Sequence, residues 1–177
     1  MREEVHVMLS EEEVEKKIRE MADQINQDYE GKSLHLICIL KGSIFFCCEL
    51  AKRLTMPVSI DFMSASSYGN DTKSSGTLKI KKDLDESIEG LDCLIVEDII
   101  DSGNTLSLTQ KMLAERKPAS LKLCTLLDKP ARRETEVDVD YTGFQIPDAF
   151  VVGYGLDYAQ RYRNLPYIGV LEFVNED

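Results

Sequence analysis

Residues 93–106 read CLIVEDIIDSGNTL. Cys93 to Val96 are apolar, Glu97 and Asp98 follow at once, and two further apolar residues lead to Asp101, Ser102, Gly103, Asn104 and Thr105. A short apolar run bounded by turn residues is the pattern of a strand buried on both faces, as in a parallel sheet. A strand that passes through a small polar turn into a helix predicts an α/β fold. In open sheets of that class, ligands bind beyond the carboxyl ends of the strands.

The rest of the chain repeats the alternation. Ser10 with Glu13 forms a capping-box signature, which predicts a helix over 11–29 closed at Gly31. LHLICIL (34–40) reads as a buried strand, KGS as a turn, and 44–54 as a largely buried helix. Further strands are predicted over 58–63, 77–81, 91–96, 121–127, 150–152 and 168–170, with a helix over 105–116. Strands alternating with helices imply a mostly parallel central sheet flanked by helices. Between two of the strands, SASSYGNDTKSSG (64–76) has no apolar periodicity and predicts a long loop, of the kind used as lids or binding loops.

Composition bounds the function. At 177 residues the chain is expected to form one domain with a substantial core. It is 43% hydrophobic and 30% charged, as ordinary soluble globular proteins are. No apolar run approaches the roughly 20 residues that span a bilayer, and the N-terminus has no signal-peptide core, so a cytoplasmic location without membrane contact is expected. The five cysteines are odd in number, form no CxxC pair and lie among apolar residues, which predicts reduced thiols in a core. His6 and His35 have no partner pattern and are assigned to packing. The net charge of −11 argues against a nucleic-acid partner, since non-specific binding depends on Lys and Arg neutralising phosphates. A small anionic ligand remains open, because it needs only a local pocket.

The turn after residue 100 admits two readings. The successive N–H groups of Ser102 to Thr105, two hydroxyls and a helix N-terminus would cradle an anion. Gly103 would permit the tight turn and close approach. Glu97 and Asp98 would repel that anion and suit a neighbouring ribose diol or a metal. Alternatively, Asp101 and Ser102 merely cap a solvated helix. There is no GxxxxGK[ST], and VVGYGLD (151–157) lacks the GxGxxG spacing of a dinucleotide fingerprint.

VEDIIDSGNTL (96–106) resembles the phosphoribosyl-pyrophosphate loop of type I phosphoribosyltransferases. LKGS (40–43) is similar to their pyrophosphate loop, and SSYGN (66–70) to their mobile lid. LLDKP (126–130) with DAFVVGYGLDYAQRYRNLPYIG (148–169) resembles the purine-binding region of the hypoxanthine(-guanine) branch. The segments occur in the family's order and cover the chain from about residue 5 to 170.

This resemblance implies the type I phosphoribosyltransferase fold, with a hood built from both chain ends and a lid over about 64–76. It implies transfer of the 5-phosphoribosyl group from phosphoribosyl pyrophosphate to N9 of hypoxanthine or guanine, with Mg²⁺ as cofactor, in purine salvage. It also implies a homodimer or homotetramer. By the same resemblance Glu97 and Asp98 hold the ribose hydroxyls directly or through a metal, and Asp101 is the general base at purine N7. Residues Asp101, Ser102, Gly103, Asn104 and Thr105 cradle the 5-phosphate. Lys41, Gly42 and Arg163 contact pyrophosphate, with a cis bond between Leu40 and Lys41. Ser67 and Tyr68 belong to the lid and exclude water. Lys129 donates to the 6-oxo group, Phe150 stacks on the base, and the Val151 backbone reads its edge. Asp157 ligands a metal and faces the purine 2-position. A xanthine-preferring enzyme and an RNA-binding regulator on the same fold are the rivals. The acidic charge disfavours the second.

Overall fold

The computed structural model of the chain describes residues 1–68 and 76–175. Nine strands and three α-helices are present among them. The strands are β1 (Arg2–Leu9), β2 (Leu34–Ile39), β3 (Val58–Tyr68), β4 (Thr77–Lys82), β5 (Asp92–Ile100), β6 (Ser120–Asp128), β7 (Tyr141–Gln145), β8 (Val151–Val152) and β9 (Ile168–Val174). The helices are α1 (Glu11–Asp28), α2 (Ile44–Ala51) and α3 (Asn104–Glu115). Six strands form the central sheet in the order β4-β3-β2-β5-β6-β7, parallel except for the antiparallel edge β4. A second, antiparallel sheet has the order β1-β9-β8. The α/β class with a mostly parallel sheet is thus as the alternation of elements predicts.

The apolar run of β5 is explained by its two faces. Leu94 and Val96 join the core beneath α1 and α2, with Leu36, Cys38, Ile18, Ile25, Phe46 and Leu50. Cys93 and Ile95 face the other way, into a core shared with Ile37, Met63, Leu123 and Leu113 of α3. All four β5 residues are fully buried, which period-2 side chains achieve only when both faces are covered. Helix α1 begins with the expected capping box: Glu13 N donates to Ser10 Oγ at 3.1 Å, and the Ser10 N–H to Glu13 Oε1 at 3.4 Å.

The structure corrects several boundaries. β5 continues past Val96 through Glu97 and Asp98, because pairing with β6 persists at Glu97↔Thr125, Ile99↔Leu127 and Ile100↔Asp128. Helix α2 stops at Ala51 rather than 54. Residues 64–68, expected within a long loop, are strand. They find an antiparallel partner in β4, with Ser66↔Lys79, Ser67↔Leu78 and Tyr68↔Thr77. The remainder of the expected lid, 69–75, lies outside the described residues. β1 and β7 were not legible beforehand. β1 is polar and half exposed, and exists because it pairs with β9 from Arg2↔Val174 to Leu9↔Ile168. β7 carries Gly143, where an added Cβ would lie 2.4 Å from Leu126 O, so the glycine marks close strand approach rather than a break.

Phe46, fully buried on α2, packs that helix against the sheet. Phe46→Ala is expected to lower stability by about 3–5 kcal/mol, as core aromatic truncations do, read as a reduced midpoint in urea unfolding.

Candidate active site

The carboxyl ends of β2, β5 and β6 carry, in turn, Lys41 and Gly42, the stretch from Glu97 to Thr105, and Lys129. A cavity of about 190 Å³ opens there, lined by Glu97, Asp101, Ser102, Gly103 and Thr105 among others. Gly103 sits at φ +80° as the N-cap of α3, a left-handed conformation that glycine adopts freely. No side chain would fit on it, since a Cβ would come within 2.5 Å of Thr135 O and 2.8 Å of Val137 Cγ2. Ser102 Oγ accepts from Asn104 N at 3.2 Å. The Asn104 side chain turns away to residues 134–135, donating to Glu134 Oε2 at 2.7 Å and accepting from Thr135 Oγ1. Its contribution to an anion cradle is therefore backbone only. Thr105 Oγ1 lies 2.6 Å from Ser67 Oγ, so one of the two expected lid side chains touches the 101–105 turn directly. Tyr68 is 60% exposed.

Beside Asp101 stands Lys129, at the carboxyl end of β6. A lone Lys-Pro pair would ordinarily be an exposed turn, yet Lys129 is buried to 6% exposure. Its ammonium lies 3.4 Å from Asp101 Oδ1, while Asp101 itself is exposed. Phe150 is the converse. An apolar residue beside a strand would by itself be core, but it is 51% exposed and held edge-on by Tyr158 at 5.8 Å. Val151 is buried and pairs with Val170.

Lys41 and Gly42 follow β2 after a cis Leu40–Lys41 bond. Gly42 is packed between the Asp98 carboxylate and the backbone at Gly155: a Cβ on it would lie 1.7 Å from Asp98 Oδ2, and a Cβ on Gly155 would lie 2.0 Å from Gly42 O. Arg163 donates to Gly155 O at 2.7 Å and pairs with Asp157 Oδ1 at 3.4 Å. Gln160 Oε1 accepts from both Lys41 (3.4 Å) and Arg163 (3.1 Å), joining the two expected pyrophosphate contacts.

Glu97, which lines the cavity, and Asp98 are consecutive, half-buried residues of β5. Burial pushes Glu97 well above the ordinary carboxylate range, and the adjacent Asp98 charge pushes it further. Burial also raises Asp98. Among the described residues no group of three or more His, Cys, Asp or Glu side chains could hold a metal ion unaided, so Glu97, Asp98 and Asp157 do not form a protein-only cage. Their oxygen-only donors do match a hard cation that takes few protein ligands and fills its shell with ligand oxygens and waters.

Sequence reasoning missed Gln160, Arg133, Glu134 and Thr135. Gln160 sits in a turn where Tyr154, Ala159, Gln160 and Tyr162 all adopt positive φ, a clustering invisible in residue types. The doubled arginine of KPARRET (129–135) was a usable signal for the others.

The raised Glu97 has a pH consequence. Between the unfolded carboxylate range and its folded value, the folded chain keeps a proton that the unfolded chain has released, so stability falls as pH rises. Glu97→Gln is therefore expected to raise Tm at pH 8, by about 2–4 °C for each 1 kcal/mol of strain relieved, and to change it little near pH 4. Metal-free thermal scans at the two pH values check this.

Comparison with known proteins agrees with the geometry. A phosphoribosyl transferase domain model matches residues 8–159. The hypoxanthine phosphoribosyltransferase of Salmonella typhimurium is 51% identical over 99% of this chain and 100% of its own. The hypoxanthine-guanine phosphoribosyltransferase of Bacillus subtilis is 53% identical, over 94% of this chain and 92% of its own. A crystal structure of a hypoxanthine-guanine phosphoribosyltransferase from Bacillus anthracis superposes with a TM-score of 0.90 at 48% identity, covering 94% of this chain and 99% of that one. With a domain match over most of its length and relatives this similar end to end, the chain belongs to the phosphoribosyltransferase family, in its hypoxanthine(-guanine) branch.

Proposed function

We propose that this chain is a purine-salvage enzyme that transfers the 5-phosphoribosyl group from phosphoribosyl pyrophosphate to N9 of hypoxanthine, and also of guanine, releasing pyrophosphate. The observation that carries the reading is the buried Lys129 ammonium 3.4 Å from the exposed Asp101 carboxylate, beside an anion-cradling turn. A 6-oxopurine needs a donor at its oxo group and an acceptor at its N7 proton, and these two residues supply both.

In this reading the ribose C1–O bond breaks, N9 bonds to C1, and the N7 proton passes to Asp101 as general base. The N–H groups of residues 102–105 hold the 5-phosphate. Lys41, Gly42 and Arg163 receive the pyrophosphate, with Gln160 keeping the two cations in register. The Phe150 face stacks on the base, the Val151 backbone and Asp157 meet its far edge, and Ser67 and Tyr68 help to exclude water. Glu97 and Asp98, and separately Asp157, would hold Mg²⁺, which would supply charge neutralisation for the leaving pyrophosphate. Residues 1–177 act as one unit, with the β1-β9-β8 sheet as the hood. Exposed Ile44 and Phe45 at the start of α2 support assembly as a homodimer or homotetramer. Five free cysteines, with Cys48 exposed, suit the reducing cytoplasm. No helix among the described residues is long and apolar enough to cross a membrane.

Turnover assays with hypoxanthine, guanine, xanthine and adenine test the reading. Formation of nucleoside monophosphate from the first two is expected, and activity confined to xanthine would overturn it. Asp101→Asn should still bind phosphoribosyl pyrophosphate while kcat falls by about 10²–10⁴-fold, the usual worth of general-base catalysis. Lys129→Ala should lower kcat/KM for hypoxanthine by roughly 10–150-fold, the range for a charge-assisted bond of about 1.5–3 kcal/mol. KM for phosphoribosyl pyrophosphate should change far less in that variant, and steady-state kinetics separates the two effects.

A further inference from the structure

Arg133 is assigned no substrate contact of its own, yet it is the most buried arginine bonded to a residue of the site. Its side chain is 16% exposed and its guanidinium forks: Nη2 donates to the Asp128 carboxylate, itself 12% exposed, and Nε donates to Asp101 O at 3.2 Å. The next two residues continue the grip, Glu134 N and Thr135 N donating to Ser102 O at 2.9 and 3.0 Å. Two successive carbonyls of the turn are therefore fixed on one side by residues 133–135. In a trans peptide the N–H points opposite to the C=O. Fixing the carbonyls of Asp101 and Ser102 thus aims the N–H groups of Ser102 and Gly103 away from Arg133, and it sets the backbone from which the Asp101 carboxylate projects.

We infer that Arg133 is a positioning residue, a fork anchored on Asp128 that orients the Asp101–Ser102 peptide so that Asp101 meets the purine and the Ser102 N–H meets the 5-phosphate. The inference rests on the roles of Asp101 and the 102–105 turn proposed above. Asp128 is the strand residue immediately before Lys129, so the same ion pair ties the donor side of the purine site to its acceptor side. Arginine is required because one planar group must bond a carboxylate and a carbonyl at once. A lysine can keep the charge pair but offers no fixed fork.

The test compares the wild type with Arg133→Lys, Arg133→Gln and the double variant Asp128→Asn/Arg133→Gln in full-length protein, measuring Tm, kcat and both KM values. Arg133→Gln leaves a buried carboxylate unpaired and is expected to lower Tm, while the double variant and Arg133→Lys recover most of that loss. All three are expected to lose about 10–100-fold in kcat, the scale on which small misplacements of a reacting group act. KM for phosphoribosyl pyrophosphate should rise about 3–10-fold, with KM for hypoxanthine within about 2-fold, since Lys129 keeps its own place. Wild-type kinetics in Arg133→Lys or in the double variant, whatever their Tm, would overturn the inference and leave Arg133 a purely structural ion-pair partner. A wild-type chain that turns over no purine would overturn the proposed reaction together with the inference.

Discussion

The parallel ladder between β5 and β6 is the constraint on which the site depends. Its register pairs Ile100 with Asp128, and a backbone bond from Lys129 N to Ile100 O at 3.0 Å closes the ladder. The next residue of each strand is then forced alongside the other, and those residues are Asp101 and Lys129. A slip of one residue in this register would send one of them to the opposite face of the sheet. The four fully buried apolar residues of β5, packed on both faces, are what make such a slip costly. Core packing and site geometry are in this respect the same requirement.

Charge is distributed around that ladder with a consistent logic. Two carboxylates, Glu97 and Asp98, sit partly buried in succession on β5, where desolvation raises both, and the cations Lys41, Lys129 and Arg163 each carry a placeholder partner. Lys129 is paired with Asp101 and Arg163 with Asp157, at 3.4 Å in each case, longer than a well-formed charge-assisted bond. Loose pairs of this kind keep buried charges compensated and are still readily separated. A ligand that brings its own oxo group or phosphates can therefore replace them without leaving a naked charge in the protein.

Much of this was legible in the residues. The turn chemistry of DSGNT, the capping box at Ser10 and the buried strands follow from local rules, and the structure keeps them. What escaped was non-local. β1 reads as polar surface until β9, at the other end of the chain, supplies its partner. The extension of β3 to Tyr68 depends likewise on β4. The side chain of Asn104 looks like a phosphate ligand in a linear motif, and only the approach of residues 134–135 shows it already engaged. Lys129 and Phe150 could not be assigned as buried or exposed from sequence, because burial is decided by which loops cover them.

The thiol distribution makes the molecule convenient to label. Cys38, Cys47, Cys93 and Cys124 are sealed in the two cores, whereas Cys48 is exposed on α2, the helix that follows the 40–43 turn. Partial burial still raises the Cys48 pKa, so its thiolate is scarce at neutral pH and the side chain resists casual oxidation. Under mildly alkaline conditions a maleimide or nitroxide would attach at one place only. Without engineering out a single native cysteine, the chain thus offers one spectroscopic handle, borne on a rigid helix directly downstream of the residues assigned to the leaving group.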